Sequence, residues 1–339
     1  MRRLFVPFLL TALLLTGCNN GQTPSSDGPH SSELFAMDTY MTLQVYGDED
    51  LLRQGEELIL DLERRLSVTS GDSEIAVINR DGQGPVSEDT AVLLGRTLEL
   101  CARTGGALDL SIYPVVRAWG FTTENYRVPE QAELDGLLAH VDYTKISLNN
   151  GVVQLEDGME IDLGSVTKGY ASSQVTSLWR ESGVTSALLN LGGNVHALGA
   201  KPDGSPWRIG IQDPLGEGNL GVLEIVDKAV ITSGGYERYF EQDGETYWHI
   251  IDPATGRPAR SGLISVTIVG EDGLLCDGLS TSLFVLGLDG AARLWSQSDD
   301  FEAVFVTDDG GLYITQGLED SFTPIADYAD ADVMVIRRA

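Results

Sequence analysis

Histidine and cysteine are scarce in this 339-residue chain: four of one and three of the other. No Cys-x-x-Cys pair and no histidine-rich spacing occurs, which argues against a dense zinc or haem centre. Positive charge is scarce as well. Lys and Arg total 22 against 51 Asp and Glu, a formal net charge of −29. Such a surface repels phosphate backbones, so nucleic acid is not an expected partner. It also repels anionic lipid headgroups, so no basic patch is expected to hold the protein to a membrane. An acidic protein that handles a polyphosphate needs a metal or local cations to offset the repulsion. The Gly-x4-Gly-Lys-Ser/Thr spacing of a Walker loop is absent. No solenoid-type period recurs, and no second linker rich in Ser, Pro and Gly divides the chain. What remains is one compact unit, with a hydrophobic fraction of 42% to build its core.

The first eighteen residues are rich in signal. Arg2 and Arg3 precede an apolar run from Leu4 to Leu15, broken only by Pro7 and Thr11, and then Leu15-Thr16-Gly17-Cys18. The run is too short to span a bilayer, which takes about 20 apolar residues. It reads as a signal peptide over residues 1–17. Its ending resembles the lipobox of bacterial lipoproteins. That implies cleavage before Cys18, lipid on the Cys18 sulfur, and a mature protein anchored at the extracytoplasmic face of the cell membrane. Residues 18–32 lack aromatic and branched apolar side chains, so they read as a flexible tether. The domain is expected over 33–339. Cys101 and Cys276 are then left, either as one disulfide or as two buried thiols.

Thr39 to Tyr46 alternates, with Met41, Leu43 and Val45 on one face, as a half-buried strand does. Helical spacing runs over Asp48–Leu66, Thr90–Thr104, Lys168–Glu181 and Asp277–Leu286, continuing through Ala291–Ser296. Ile146 to Asp162 reads as a meander, and Ser186–Leu191 as a buried strand. Further strands are expected at Trp207–Ile211, Val222–Val226, Thr246–Ile251, Leu263–Val269, Glu302–Val306, Leu312–Thr315 and Val333–Ile336. Turn-linked strands with helices in clumps predict an α+β fold: a single large domain with a mostly antiparallel sheet.

Five polar or Gly-rich segments at element ends carry the chemistry. Ala36-Met37-Asp38-Thr39 precedes the first predicted strand. Thr104-Gly105-Gly106-Ala107-Leu108-Asp109 either lets backbone approach a ligand or simply caps a helix. In Asp162-Leu163-Gly164-Ser165-Val166-Thr167-Lys168, an expected strand-to-helix turn offers amides to a phosphate and Lys168 offers a point charge. His249 is expected in a strand, with Asp252 close by, either as a structural histidine or as a base that works near neutral pH. Asp277 and Thr281 stand at i and i+4, so both oxygens can converge on one cation such as Mg²⁺; the alternative for Asp277 is a helix N-cap.

Taken together these segments resemble the FAD:protein FMN transferases, the ApbE-type flavin transferase lipoproteins. The resemblance runs from about Phe35 to Ile336. It adds Lys168-Gly169-Tyr170-Ala171, Asn190-Leu191-Gly192-Gly193-Asn194, Trp207-Arg208-Ile209-Gly210-Ile211, Ser233-Gly234 and His249-Ile250-Ile251-Asp252-Pro253 to the motifs above. It implies a T-fold-like α+β unit with FAD in a deep cleft. The implied reaction is Mg²⁺-dependent transfer of FMN from FAD to a Thr or Ser hydroxyl of a target protein, releasing AMP. The implied acceptor is an exported or membrane flavoprotein. By the same resemblance Met37, Ala107, Leu108, Asp109, Asp162 and Lys168 contact FAD. Ser165 (through its carbonyl), Asp277 and Thr281 ligate the metal, and His249 is the base. One departure stands out: Thr69 falls where some relatives carry a flavin-stacking tyrosine. Hydrolysis of FAD to FMN and AMP, or flavin binding without turnover, are the alternative activities.

Overall fold

A computed structural model describes residues 28–338. The signal peptide and Cys18 lie outside the described residues. The main sheet has nine strands: β1 (His30–Ala36), β2 (Thr39–Val45), β3 (Ser186–Leu191), β4 (Asn194–Gly199), β5 (Ala229–Gly234), β6 (Leu263–Gly270), β7 (Phe301–Thr307), β8 (Leu312–Thr315) and β9 (Val333–Ile336). Their order across the sheet is their order along the chain. Every neighbouring pair is antiparallel except β8 with β9. Among the described residues seven α-helices are inserted: α1 (Asp50–Leu66), α2 (Glu74–Asp81), α3 (Glu88–Arg103), α4 (Tyr113–Ala118), α5 (Gln131–Leu138), α6 (Gly164–Glu181) and α7 (Gly273–Ser296). The α+β class expected from the sequence is the class observed.

Period-two alternation gives the sheet two buried faces. In β7, Phe301, Ala303 and Phe305 join the cluster formed with α1, α6 and α7. Val304 and Val306 face the other way, into a cluster with the three-stranded sheet of Trp207–Gln212, Asn219–Ile225 and Phe322–Pro324. Helix α7 is apolar and long enough to cross a membrane by composition, with a mean hydropathy of 1.3 in its most apolar window. Two thirds of that window (67%) is buried inside the protein, as suits a core helix. Gly287, at φ 71°, kinks it between the two stretches that read as helical in the sequence.

Four expectations are corrected. The tether does not extend to Ser32, because His30 already pairs with Val45. No strand ends at Asp162. The Asn79 side chain takes both hydrogen bonds of Ile161, donating to its carbonyl at 2.8 Å and accepting from its amide at 2.7 Å. A side-chain amide thus stands in for a neighbouring strand. Helix α6 begins at Gly164 rather than Lys168, which places both Ser165 and Lys168 within its first turns. His249 lies just beyond the strand Glu245–Trp248, in a bend, because the next paired stretch starts only at Ile251.

Candidate active site

The site is assembled where α6 crosses α7. A Cβ on Gly169 would overlap the Gly273 carbonyl oxygen and stand 2.6 Å from Asp277 Cβ. With hydrogen at these positions the two helices approach backbone to backbone. That approach brings the Asp277 carboxylate against the first turns of α6. Asp277 Oδ2 accepts the Gly169 amide at 2.8 Å, and Oδ1 accepts the Asn194 side-chain amide at 3.0 Å. Asp277 is 5% exposed. Burial raises its pKa, while Lys168, the Gly169 amide and Asn194 act in the opposite sense. It is not the N-cap of α7; Asp272 does that work, accepting from Leu274 at 3.0 Å.

Ser165 lies one helical turn before Gly169, whose amide the Asp277 carboxylate accepts, so in α6 the Ser165 carbonyl points along the helix toward that amide. One turn along α7, Thr281 Oγ1 meets Ser233 Oγ at 3.3 Å, and the same Ser233 hydroxyl lies 2.8 Å from Ser280 Oγ. Ser233 stands next to the last residue of β5, so the sheet delivers a third hydroxyl to the corner. Among the described residues no three His, Cys, Asp or Glu side chains gather into a metal site. A cation here would rest on one carboxylate, hydroxyls, a peptide carbonyl and substrate oxygens. That hard-oxygen set fits Mg²⁺.

Charged side chains gather around this corner. Lys168 acts electrostatically on Asp277, Glu237 and His249 alike. Arg238 acts on Asp162, Glu237 and His249. His249 Nδ1 lies 3.2 Å from the Arg238 carbonyl oxygen. A carbonyl only accepts, so Nδ1 carries the proton and Nε2 keeps a free lone pair. Burial lowers the His249 pKa to about 4, and Arg238 and Lys168 push it the same way. The imidazole is neutral at pH 7, the state a base requires.

Asp162 Oδ1 accepts the Gly164 amide at 2.9 Å. The helix start expected to greet a phosphate is thus partly taken by this acid, whose pKa burial raises. Met37 and Asp38 form the two-residue turn of the β1–β2 hairpin, at φ 50° and 59°. Met37 donates its amide to Glu63 Oε1 at 2.7 Å, which ties the turn to α1. The 104–109 segment does cap α3: the Gly106 amide returns to the Cys101 carbonyl at 2.9 Å. Leu108 is 3% exposed and packs in the core. Asp109 Oδ1 accepts from the Ser111 hydroxyl at 2.6 Å and amide at 2.9 Å, and Oδ2 from the Tyr143 amide at 3.0 Å. Both side chains turn into the protein, so Ala107 and the backbone are what this segment presents. Thr69 is exposed in the loop after α1.

A model described as the ApbE family matches residues 37–305. The chain belongs to the ApbE family. An FAD:protein FMN transferase of Klebsiella pneumoniae (strain 342) is 34% identical over 313 residues, 89% of this chain and 96% of the relative. One of Treponema pallidum (strain Nichols) is 34% identical over 284 residues, 78% of each. Among solved structures, the ApbE protein of Thermotoga maritima aligns with a TM-score of 0.81 at 30% identity, over 85% of this chain and 97% of that one. The apo form of the Pseudomonas stutzeri flavinyl transferase ApbE aligns with a TM-score of 0.76 at 28% identity, over 90% and 96%.

In this ApbE-family chain the structure adds Glu237 to the predicted residues. The residue is exposed, yet neighbouring atoms desolvate its carboxyl and push its pKa up to about 7. Asp277 adds to that rise, and Lys168 and Arg238 oppose it. The sequence offered only Ser233-Gly234 here. A charged pair, Glu237-Arg238, just past a strand-ending Gly234-Gly235, is the signal that was available.

Proposed function

We propose that this protein transfers FMN from FAD to a Thr or Ser hydroxyl of another protein, with Mg²⁺ as the resident cation and AMP as the leaving product. The coarser part, a transferase that passes flavin from FAD to a protein, comes with its membership among the named FAD:protein FMN transferases. One observation carries the finer part. A buried carboxylate whose hydrogen-bond partners are neutral, and a neutral histidine with a free Nε2, both feel the charge of one lysine, Lys168.

In this reading Ser165 (through its carbonyl), Asp277 and Thr281 hold the cation. Bound there, Mg²⁺ would neutralise charge on the pyrophosphate, which the acidic protein cannot do alone. His249 Nε2 takes the proton of the acceptor hydroxyl. The acceptor oxygen bonds to the phosphorus of the FMN half, the bond from that phosphorus to the bridging oxygen breaks, and AMP leaves with that oxygen. Lys168 and Arg238 supply fixed positive charge beside the reacting groups. Met37, Ala107 and Asp162 would seat the dinucleotide, and exclusion of water would favour the protein acceptor over hydrolysis.

The acceptor in this reading is an exported or membrane flavoprotein with an accessible Thr in a short motif containing Gly or Ala. The enzyme itself sits outside the cytoplasm on a lipid at Cys18. Support for that placement is the sequence of residues 1–18 alone. The deciding experiment is mass spectrometry of a flavoprotein acceptor after incubation with the protein, FAD and Mg²⁺. A mass gain equal to FMN on a Thr or Ser, with AMP released, is expected. Free FMN and AMP with an unmodified acceptor would make it a pyrophosphatase instead.

A further inference from the structure

We infer that Asn194 is a positioning residue for the metal acid, holding the Asp277 carboxylate in its cation-binding orientation through the side-chain amide. The inference rests on the Mg²⁺ reading above and goes beyond its ligand set. Asn194 and Asp277 are both buried, at 3% and 5% exposure, and lie 83 positions apart in sequence. A carboxylate only accepts, so the group 3.0 Å from Oδ1 is the Asn194 amide nitrogen, donating. With the Gly169 amide on Oδ2, each carboxylate oxygen has one neutral donor and a lone pair left over.

The type of donor matters. A Lys or Arg in that place would satisfy Asp277 as an ion pair and compete with a cation for it. An alcohol would leave the orientation soft. A primary amide fixes the carboxylate plane and favours its ionised form without supplying charge.

The amide is delivered from a rigid support. Asn194 opens β4 directly after Gly192 and Gly193, at φ 64° and 95°. The turn is tied by the Gly193 amide donating to Asn190 Oδ1 at 2.8 Å. Gly192 packs so tightly on Thr39 that a Cβ would overlap its side chain. Asn194 thus links the acid of the metal corner to the hairpin that carries Met37. Groups that hold a ligand in place through hydrogen bonds typically change metal affinity or activity by ~10–100-fold when removed.

The test uses the full mature chain and magnesium chloride alone, by titration calorimetry without FAD or acceptor. Asn194→Ala is expected to weaken Mg²⁺ binding ~10–100-fold. In turnover, the Mg²⁺ concentration for half-maximal rate should rise by the same factor. At saturating Mg²⁺, kcat should return to within about threefold of the parent, because no reacting atom is touched. Asn194→Ser is the second variant, should the alanine form fail to fold. Unchanged Mg²⁺ affinity in a folded variant overturns the inference. So does a kcat loss that saturating metal does not restore, or loss of fold in both variants, which would mark Asn194 as purely structural. Failure of the Mg²⁺ reading looks different: the parent protein itself would bind no Mg²⁺ in the same calorimeter.

Discussion

Gly169 and Gly273 touch backbone to backbone, and no other residue type fits at either position without moving a helix. Alanine at 169 would gain at most about 1 kcal/mol of helix propensity. It would also force the α6–α7 crossing apart, at a cost of about 1–3 kcal/mol or more. The second effect wins. Gly169→Ala should lower the thermal midpoint, and it should weaken Mg²⁺ binding because the crossing sets the Gly169–Asp277 hydrogen bond. Calorimetric melting with and without Mg²⁺ checks both.

Asp277→Ala should leave the fold cooperative and remove the transfer. Removing a buried acid also removes its desolvation cost, so the stability change should stay within about 2 kcal/mol. The rate should fall at least ~100-fold, and excess Mg²⁺ should not restore it. Covalent flavin on the acceptor, read by in-gel fluorescence, is the measurement. Transfer at the parent rate would remove Asp277 from the mechanism.

His249→Ala should lose ~100–10,000-fold in transfer while FAD still binds. In the parent protein His249 is neutral down to about pH 4. Single-turnover rates should therefore stay level with respect to this group as pH drops from 7 to 5, then fall as pH passes 4. An acid limb near 6.5, the ordinary histidine value, would mean that Nε2 is not held in the desolvated state described here.

His196 titrates for a different reason. It is 3% exposed, with Nδ1 2.9 Å from Ser172 Oγ, and burial lowers its pKa to about 4. Above pH 6.5 folded and unfolded forms are both neutral at this residue. Below that, the unfolded chain takes up a proton that the folded chain refuses until about pH 4, so stability falls as pH drops across that window. The loss at pH 5 should be about 2 kcal/mol. Urea unfolding at pH 7.5 and 5.0, for the parent and His196→Asn, should show that part of the pH dependence vanish in the variant.

Thr69→Tyr should slow FAD release several-fold. Thr69 is exposed and spends its hydroxyl on Ser67 Oγ at 3.1 Å, so no packing is lost in the exchange. An aromatic face for the isoalloxazine would be gained, in the range of about 0.5–1.5 kcal/mol. Stopped-flow flavin fluorescence is the check, and an unchanged release rate would place the ring elsewhere.

The parts of this molecule written in local pattern were legible. Met41, Leu43 and Val45 alternate and are buried. Asp277 and Thr281 are one helical turn apart, and the turn is real. What stayed hidden depends on partners distant in sequence. β1 alternates half-buried with exposed side chains and buries only Ala36 fully, so its pattern resembles a polar linker. Ile161 looked like a strand residue, and the Asn79 amide satisfies it instead. Glu237 has no motif of its own; its raised pKa comes from desolvation, which Asp277 reinforces and Lys168 and Arg238 oppose. His249 was expected inside a strand because its neighbours are apolar, yet the ladder ends one residue earlier, at Trp248.

Strands that lie side by side in the order they are made have a consequence for biogenesis. β2 must wait for β3 across the long insertion between Val45 and Ser186, and Asp277 arrives later still, on α7. Long-range closure of this kind is slow. A nascent chain that has not yet reached α7 carries the hairpin, Ser165, Lys168 and His249 but lacks Asp277 and Thr281. In the proposed mechanism, competence therefore switches on only once α7 has been made, and a product truncated before it would be inert rather than partly active.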